Sequence, residues 1–161
     1  MYAGAAGDAL IVAGGANFPG VPVAEGGEKT FYDGILLLRG GVWSQAGRLP
    51  APAAYGVTFP VGDGLVLAGG ANTSGALCSV VKLRPKGEKI VAAELSALPC
   101  AIEQAAGAAV GRKLYLAGGI ANGTPSAALY MLDTRAAKPR WQVLAPVPEA
   151  FVQPIMAASA G

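Results

Sequence analysis

Chemistry in this 161-residue chain has to be done without histidine. That removes Ser-His and Cys-His nucleophile pairs and every imidazole metal ligand at once. The two cysteines, Cys78 and Cys100, cannot fill a tetrahedral zinc site alone, and their apolar or turn settings predict small packing residues. The candidates that remain, in the loops and links that could form a site, are two carboxylates, a phenol, three amides and a lysine. Tyr55, Glu103, Gln104 and Gln153 follow proline turns, while Asn17, Glu25 and Lys29 share one glycine-rich loop. A carboxylate or phenol can pass a proton to and from a bound molecule, and amides and a lysine can hold its polar or anionic groups.

The elements that position these residues repeat. The first glycines of three double-glycine pairs are Gly14, Gly69 and Gly118, and the residues before three Pro turns are Leu49, Leu98 and Val147. The turns are spaced by 49 and again by 49, and each of the first two lies 20 residues before the next double glycine. Periods of roughly 40 to 50 residues belong to propeller blades and large solenoids. The first unit runs 35 residues from glycine to turn against 29 in the others, and Trp43 and Trp141 follow their glycines by 29 and 23. Both differences are six, which places an insertion in "ANFPGVPVAEGGEKTFYDG", Ala16 to Gly34.

Each unit reads as four short strands. In the second, "AYGVTFPV", "LVLAGG", "LCSVVKL" and "KIVAAEL" alternate with turn signals, and Gly62, Asp63 and Gly64 suit a tight hairpin. No stretch sustains a 3.6 period, so helix is expected to be minor. The pattern predicts an all-β propeller of about three four-stranded antiparallel blades, over residues 1–50, 51–99 and 100–148, with 149–161 starting a further blade. The double glycines are expected to close strand two where a neighbouring blade packs, and the Trps to pack between blades. In such blades the loop from strand two to three and the link from strand four to the next blade emerge on one face. That face collects Asn17, Glu25, Lys29, Tyr55, Glu103, Gln104 and Gln153. Asn17, Asn72 and Asn122 read first as turn formers, and Glu25 with Lys29 as a solvated pair.

Double glycine after an apolar strand, then an aromatic strand and a Trp, resembles the kelch repeat along the whole chain. Within kelch proteins, "LIVAGGANFPG", "EGGEKTFYDGILLL", "LPAPAAYGV" and "LYLAGG" resemble the bacterial sialic acid mutarotases, or N-acetylneuraminate epimerases. The resemblance implies half of a six-bladed propeller that interconverts the α and β anomers of N-acetylneuraminate, with no metal or organic cofactor. One group would protonate the ring oxygen while another takes the anomeric hydroxyl proton. A fixed cation would hold the sugar carboxylate. The family's proposed Glu and Arg lie in a blade carrying Gly-Glu in place of the double glycine. This chain has no such segment, so neither role is carried over, and Ala51 stands where the family often has a basic residue. Glu103 and Tyr55 are the catalytic candidates by position; Asn17, Glu25, Lys29, Gln104 and Gln153 are the substrate-binding ones.

Other function classes are disfavoured. With 12 basic and 10 acidic residues and no block of like charge, nucleic acid and anionic membrane are weak partners. Apolar runs stop far short of the roughly 20 residues of a spanning helix. The N-terminus lacks a basic leader and is interrupted by Asp8, implying a cytoplasmic protein, or a periplasmic one whose start lies upstream. A kelch copper oxidase would want imidazoles. A non-enzymatic propeller binding protein or glycan through its loop face is the alternative. Three blades are fewer than the four to eight of closed propellers, so the chain is a fragment, or two copies self-associate to close the ring.

Overall fold

The computed structural model describes residues 1–158 and contains three four-stranded antiparallel sheets, one per sequence unit. Blade one uses Tyr2–Ala6, Ala9–Ala13, Gly34–Arg39 and Val42–Arg48, from inner to outer strand. Blade two uses Val57–Val61, Gly64–Ala68, Val80–Lys86 and Lys89–Glu94, and blade three uses Ala106–Val110, Lys113–Ala117, Leu129–Asp133 and Trp141–Val143. The three-blade propeller half read from the sequence is present. Among the described residues helix is confined to one 3-10 turn, Val23–Glu25, and no helix is long and apolar enough to cross a membrane. Residues 154–158 form no strand, and the rest of the predicted further strand, 159–161, lies outside the described residues.

The core sits in two seams between blades. Because strand side chains alternate between faces, blade two sends Leu65 and Leu67 into the first seam and Val66 and Ala68 into the second. Its second strand is therefore buried at all five positions and reads as an unbroken apolar run. The first seam closes with Ile11, Ile35 and Leu37 of blade one, each 0% exposed, against Leu65, Val81 and Leu83. The second closes with Phe59, Val66 and Val80 of blade two against Leu114, Leu132 and Trp141.

The double glycines are seam elements, for a steric reason. The second glycine of each pair, Gly15, Gly70 or Gly119, donates its N–H to the carbonyl of Ala53, Ile102 or Phe151 in the following link, at 2.9, 2.8 and 2.7 Å. The first glycine lies against that same carbonyl, in the left-handed region at φ 60°, 63° and 69°. A Cβ on Gly69 would stand 2.5 Å from the Ile102 oxygen, so a side chain would push the next blade's link away.

Three expectations need correction. The six-residue difference of unit one is the net of two changes. Its loop from strand two to three joins paired residues Ala13 and Ile35, ten positions longer than Ala68 to Val80 or Ala117 to Leu129. Its outer hairpin is four shorter, since Leu38 pairs with Trp43, five positions on, but Leu132 with Trp141, nine on. Trp141 does pack between blades, its ring 6.3 Å from Phe59, whereas Trp43 is 49% exposed. The difference follows from position: Trp141 meets the inner strand of the preceding blade, and no described residues form a blade on that side of Trp43. Finally, Cys78 is exposed rather than buried, because it lies in the loop ahead of strand Val80–Lys86, outside the seam. Cys100 is half-buried with Sγ 3.0 Å from the Tyr130 hydroxyl.

Candidate functional site

The links that lead into blades two and three, and the one that follows blade three, build the inner rim of the loop face. Ala54 exchanges two backbone hydrogen bonds with Ala71, and Glu103 does the same with Ile120, so each link is tied to its own blade's strand-two loop. The next residue in each link is Tyr55, Gln104 or Gln153, in the left-handed region at φ 61°, 54° and 53°. Left-handed backbone is uncommon for such side chains and costs about 1 kcal/mol or more per residue, so the surrounding bonds must hold it. They form a ladder: Gln104 N–H donates to the Tyr55 carbonyl at 2.8 Å, and Gln153 N–H to the Gln104 carbonyl at 3.0 Å. The side chains follow, with Gln153 Nε2 donating to Gln104 Oε1 at 2.9 Å.

The expanded loop of blade one reaches this rim. It leaves as the two-residue strand Ala16–Asn17, turns through Val23–Glu25, and returns as Thr30–Phe31 paired to it. Tyr32 donates its hydroxyl to Asn17 Oδ1 at 2.8 Å, which pins the base of the hairpin. Lys29, one residue before the return strand, holds its Nζ 5.1 Å from the Tyr55 ring centroid and 5.7 Å from that of Phe18. The edge of one ring of the Phe31 and Tyr55 pair meets the face of the other, with centroids 6.1 Å apart at 89°. A lysine over two aromatic faces gains roughly 0.5–1 kcal/mol at an exposed site, enough to bias its rotamers while its donors stay free.

The predicted residues thus divide. Lys29 joins Tyr55, and Tyr55, Gln104 and Gln153 share one ladder. Glu103 stands beside Gln104, half-buried, with no ion-pair partner among the described residues. Asn17 is exposed and serves the hairpin through Tyr32. Glu25 does not pair with Lys29 as expected: it ends the turn whose left-handed Gly26 at φ 84° sends the chain back, and it is exposed. Asn72 and Asn122 are turn formers, the first accepting the Ser74 N–H at 2.8 Å and the second at φ 50°. The ladder itself was missed in the sequence. Its signal was available, because 55, 104 and 153 are separated by 49 and 49.

An apolar cavity of about 140 Å³ in the first seam, lined by Tyr2, Leu49 and Leu77 among others, contains none of these candidates. No group of three or more metal-ligating side chains occurs among the described residues.

The chain is similar to known proteins in sequence and in fold. The sequence pattern of N-acetylneuraminate epimerases matches residues 1–92. The epimerase of that name from Brucella suis is 39% identical over 83 residues, covering 46% of this chain and 21% of its own. That from Yersinia enterocolitica is 36% identical over 89 residues, covering 50% of this chain and 23% of its own. The aligned segment spans less than a quarter of these relatives' length. Among solved structures, that of YjhT superposes with a TM-score of 0.74 at 14% identity, covering 96% of this chain and 57% of the YjhT chain, which shows the shared fold.

Proposed function

Because the chain belongs to the N-acetylneuraminate epimerase family, we propose that it forms the part of a sialic acid mutarotase whose loop face binds the open and closed sugar during anomer exchange. The observation that carries this reading is the Lys29 ammonium poised over Tyr55 beside the ladder of left-handed residues. A sugar acid brings one permanent anion and a row of hydroxyls. Lys29 supplies the cation for the carboxylate, and Asn17 and Glu25 stand on the same hairpin to meet outlying hydroxyls. The Gln104 and Gln153 amides keep donor and acceptor capacity beyond their mutual bond.

Exchange requires the ring bond to the anomeric carbon to break and re-form on the other face. In this reading the Glu103 carboxylate takes the anomeric hydroxyl proton while the Tyr55 phenol protonates the ring oxygen. The ring carbon–oxygen bond breaks, the anomeric oxygen becomes a ketone, and reclosure after rotation returns both protons. The electrons stay within the sugar, so no redox partner is needed.

The test dissolves crystalline N-acetylneuraminate in buffer and follows the anomer ratio by proton NMR. The full chain should speed exchange, and Glu103→Gln and Tyr55→Phe should each cut that gain by about 100-fold, the usual scale of one general acid or base. Unchanged rates in both variants would remove these two residues from the reaction.

A further inference from the structure

The two seams differ on the face opposite the ladder, where the hairpins joining strands one to two and three to four emerge. In blade one, Arg39 closes the seam. Its Nε lies 3.3 Å from Asp8 of its own blade, and its Nη1 contacts Glu88 of blade two at 3.1 Å and the Gly87 carbonyl at 3.0 Å. Register fixes the equivalents in the next seam. Leu38, Leu83 and Leu132 pair with Leu10, Leu65 and Leu114, so Arg39 corresponds to Arg84 and then Asp133. Two residues before those paired leucines stand Asp8, Asp63 and Arg112. Blade two therefore keeps the arginine, but the facing hairpins of blade three offer Arg112 and the basic stretch "TRAAKPR" where the first seam has Glu88.

A second change opens the seam. The position of buried Leu37, one face-repeat before Arg39, is Lys82 in blade two. Lys82 and Arg84 follow Val80 on the face toward blade three, so the stripe runs from apolar core to two cations. A groove of about 610 Å³ results, with Val66, Leu114 and Leu132 in its floor and Lys82, Arg84, Arg112 and Asp63 in its walls. None of the three cations has a carboxylate within 4.0 Å among the described residues. With Asp63 as the acid of these walls, the excess charge is two positive.

We propose that this groove is a second binding site, for a phosphate-bearing small molecule whose dianion takes the place of the missing Glu88-type clamp. Two guanidinium groups can grip phosphate oxygens in pairs while Lys82 adds a point charge at the apolar floor. The size admits a sugar phosphate rather than an ion alone. The site is independent of the anomer-exchange reading and lies on the other face.

Isothermal titration of the full chain at about 0.15 M salt, where loose surface attraction is screened beyond roughly 8 Å, tests this. The probes are inorganic phosphate, glucose 6-phosphate and, as control, glucose. Both phosphates should bind saturably and glucose should not. Arg112→Asp, which restores the acid found at positions 8 and 63, and Lys82→Leu, which restores the leucine found at 37, should each weaken binding at least about tenfold. Lys29→Gln, on the opposite face, should leave it unchanged. Absence of saturable binding, binding that survives both groove variants, or loss in Lys29→Gln would overturn the proposal.

Discussion

The first seam is sealed by leucine and a bridged arginine; the second, built from the same register, is held open by a lysine and unbridged arginines. The strand pairings and double glycines are equivalent in both, so beyond the four residues missing from the outer hairpin of blade one the difference lies in a few side chains on one scaffold. It teaches that the blade repeat fixes backbone spacing, while single positions decide whether a seam is core or cleft.

Exchanging those positions should exchange the behaviour. The largest effect is expected for Leu37→Lys, which buries a charge where a 0% exposed leucine stood; the chain should lose about 4 kcal/mol in chemical denaturation or fail to fold. Gly70→Ala comes next, at about 3 kcal/mol, because φ is 105° and a Cβ would strike Tyr2 and the Ala54 carbonyl, both fixed by the seam. Tyr2→Phe should cost about 1–2 kcal/mol, since the buried Tyr2 hydroxyl donates to the Gly69 carbonyl at 2.6 Å. The reverse exchange, Lys82→Leu, should raise stability by about 1 kcal/mol by burying more apolar surface. Arg39→Gln is the smallest, roughly 0.5 kcal/mol or less, because its acid partners are largely exposed.

Both seams also share an alkaline liability that separates them by residue. Burial pushes the Tyr2 phenol well above its usual value, and burial followed by the hydrogen bond and charge of Cys100 pushes Tyr130 up to about 12. These phenols stay protonated when folded while the unfolded chain ionises near pH 10, so the folded state binds more protons there and stability falls with rising pH. The Tyr130 contribution is full below about pH 10 and lost by about pH 12. Denaturation midpoints measured from pH 8 to 11 should decline above 10, less steeply in Tyr2→Phe. A flat profile would contradict the burial of both phenols.

Much of this fold is legible in the residues. The 49-residue spacing of Leu49, Leu98 and Val147 is the distance from one link to the next, and the glycines repeat because each pair meets the following link's carbonyl. The loop of blade one was harder to read: ten added positions there were partly hidden by four removed from the outer hairpin, and glycine-to-Trp counting sees only the sum. Lys29 and Tyr55 were each visible as candidates, but their meeting depends on how the hairpin folds back over the rim. Left-handed Gln104 and Gln153 carry no local turn signature, because tertiary hydrogen bonds, and not residue type, hold that conformation. The open groove was invisible until register made Lys82 the counterpart of Leu37.

The most direct test of where the sugar acid binds is a backbone amide NMR titration of the full chain with N-acetylneuraminate. Saturating shifts at Tyr55, Glu103, Gln104 and the Lys29 hairpin, with Lys82 and Arg112 unmoved, are the result this account predicts. Shifts confined to the groove of blades two and three, or none at the ladder, would contradict it.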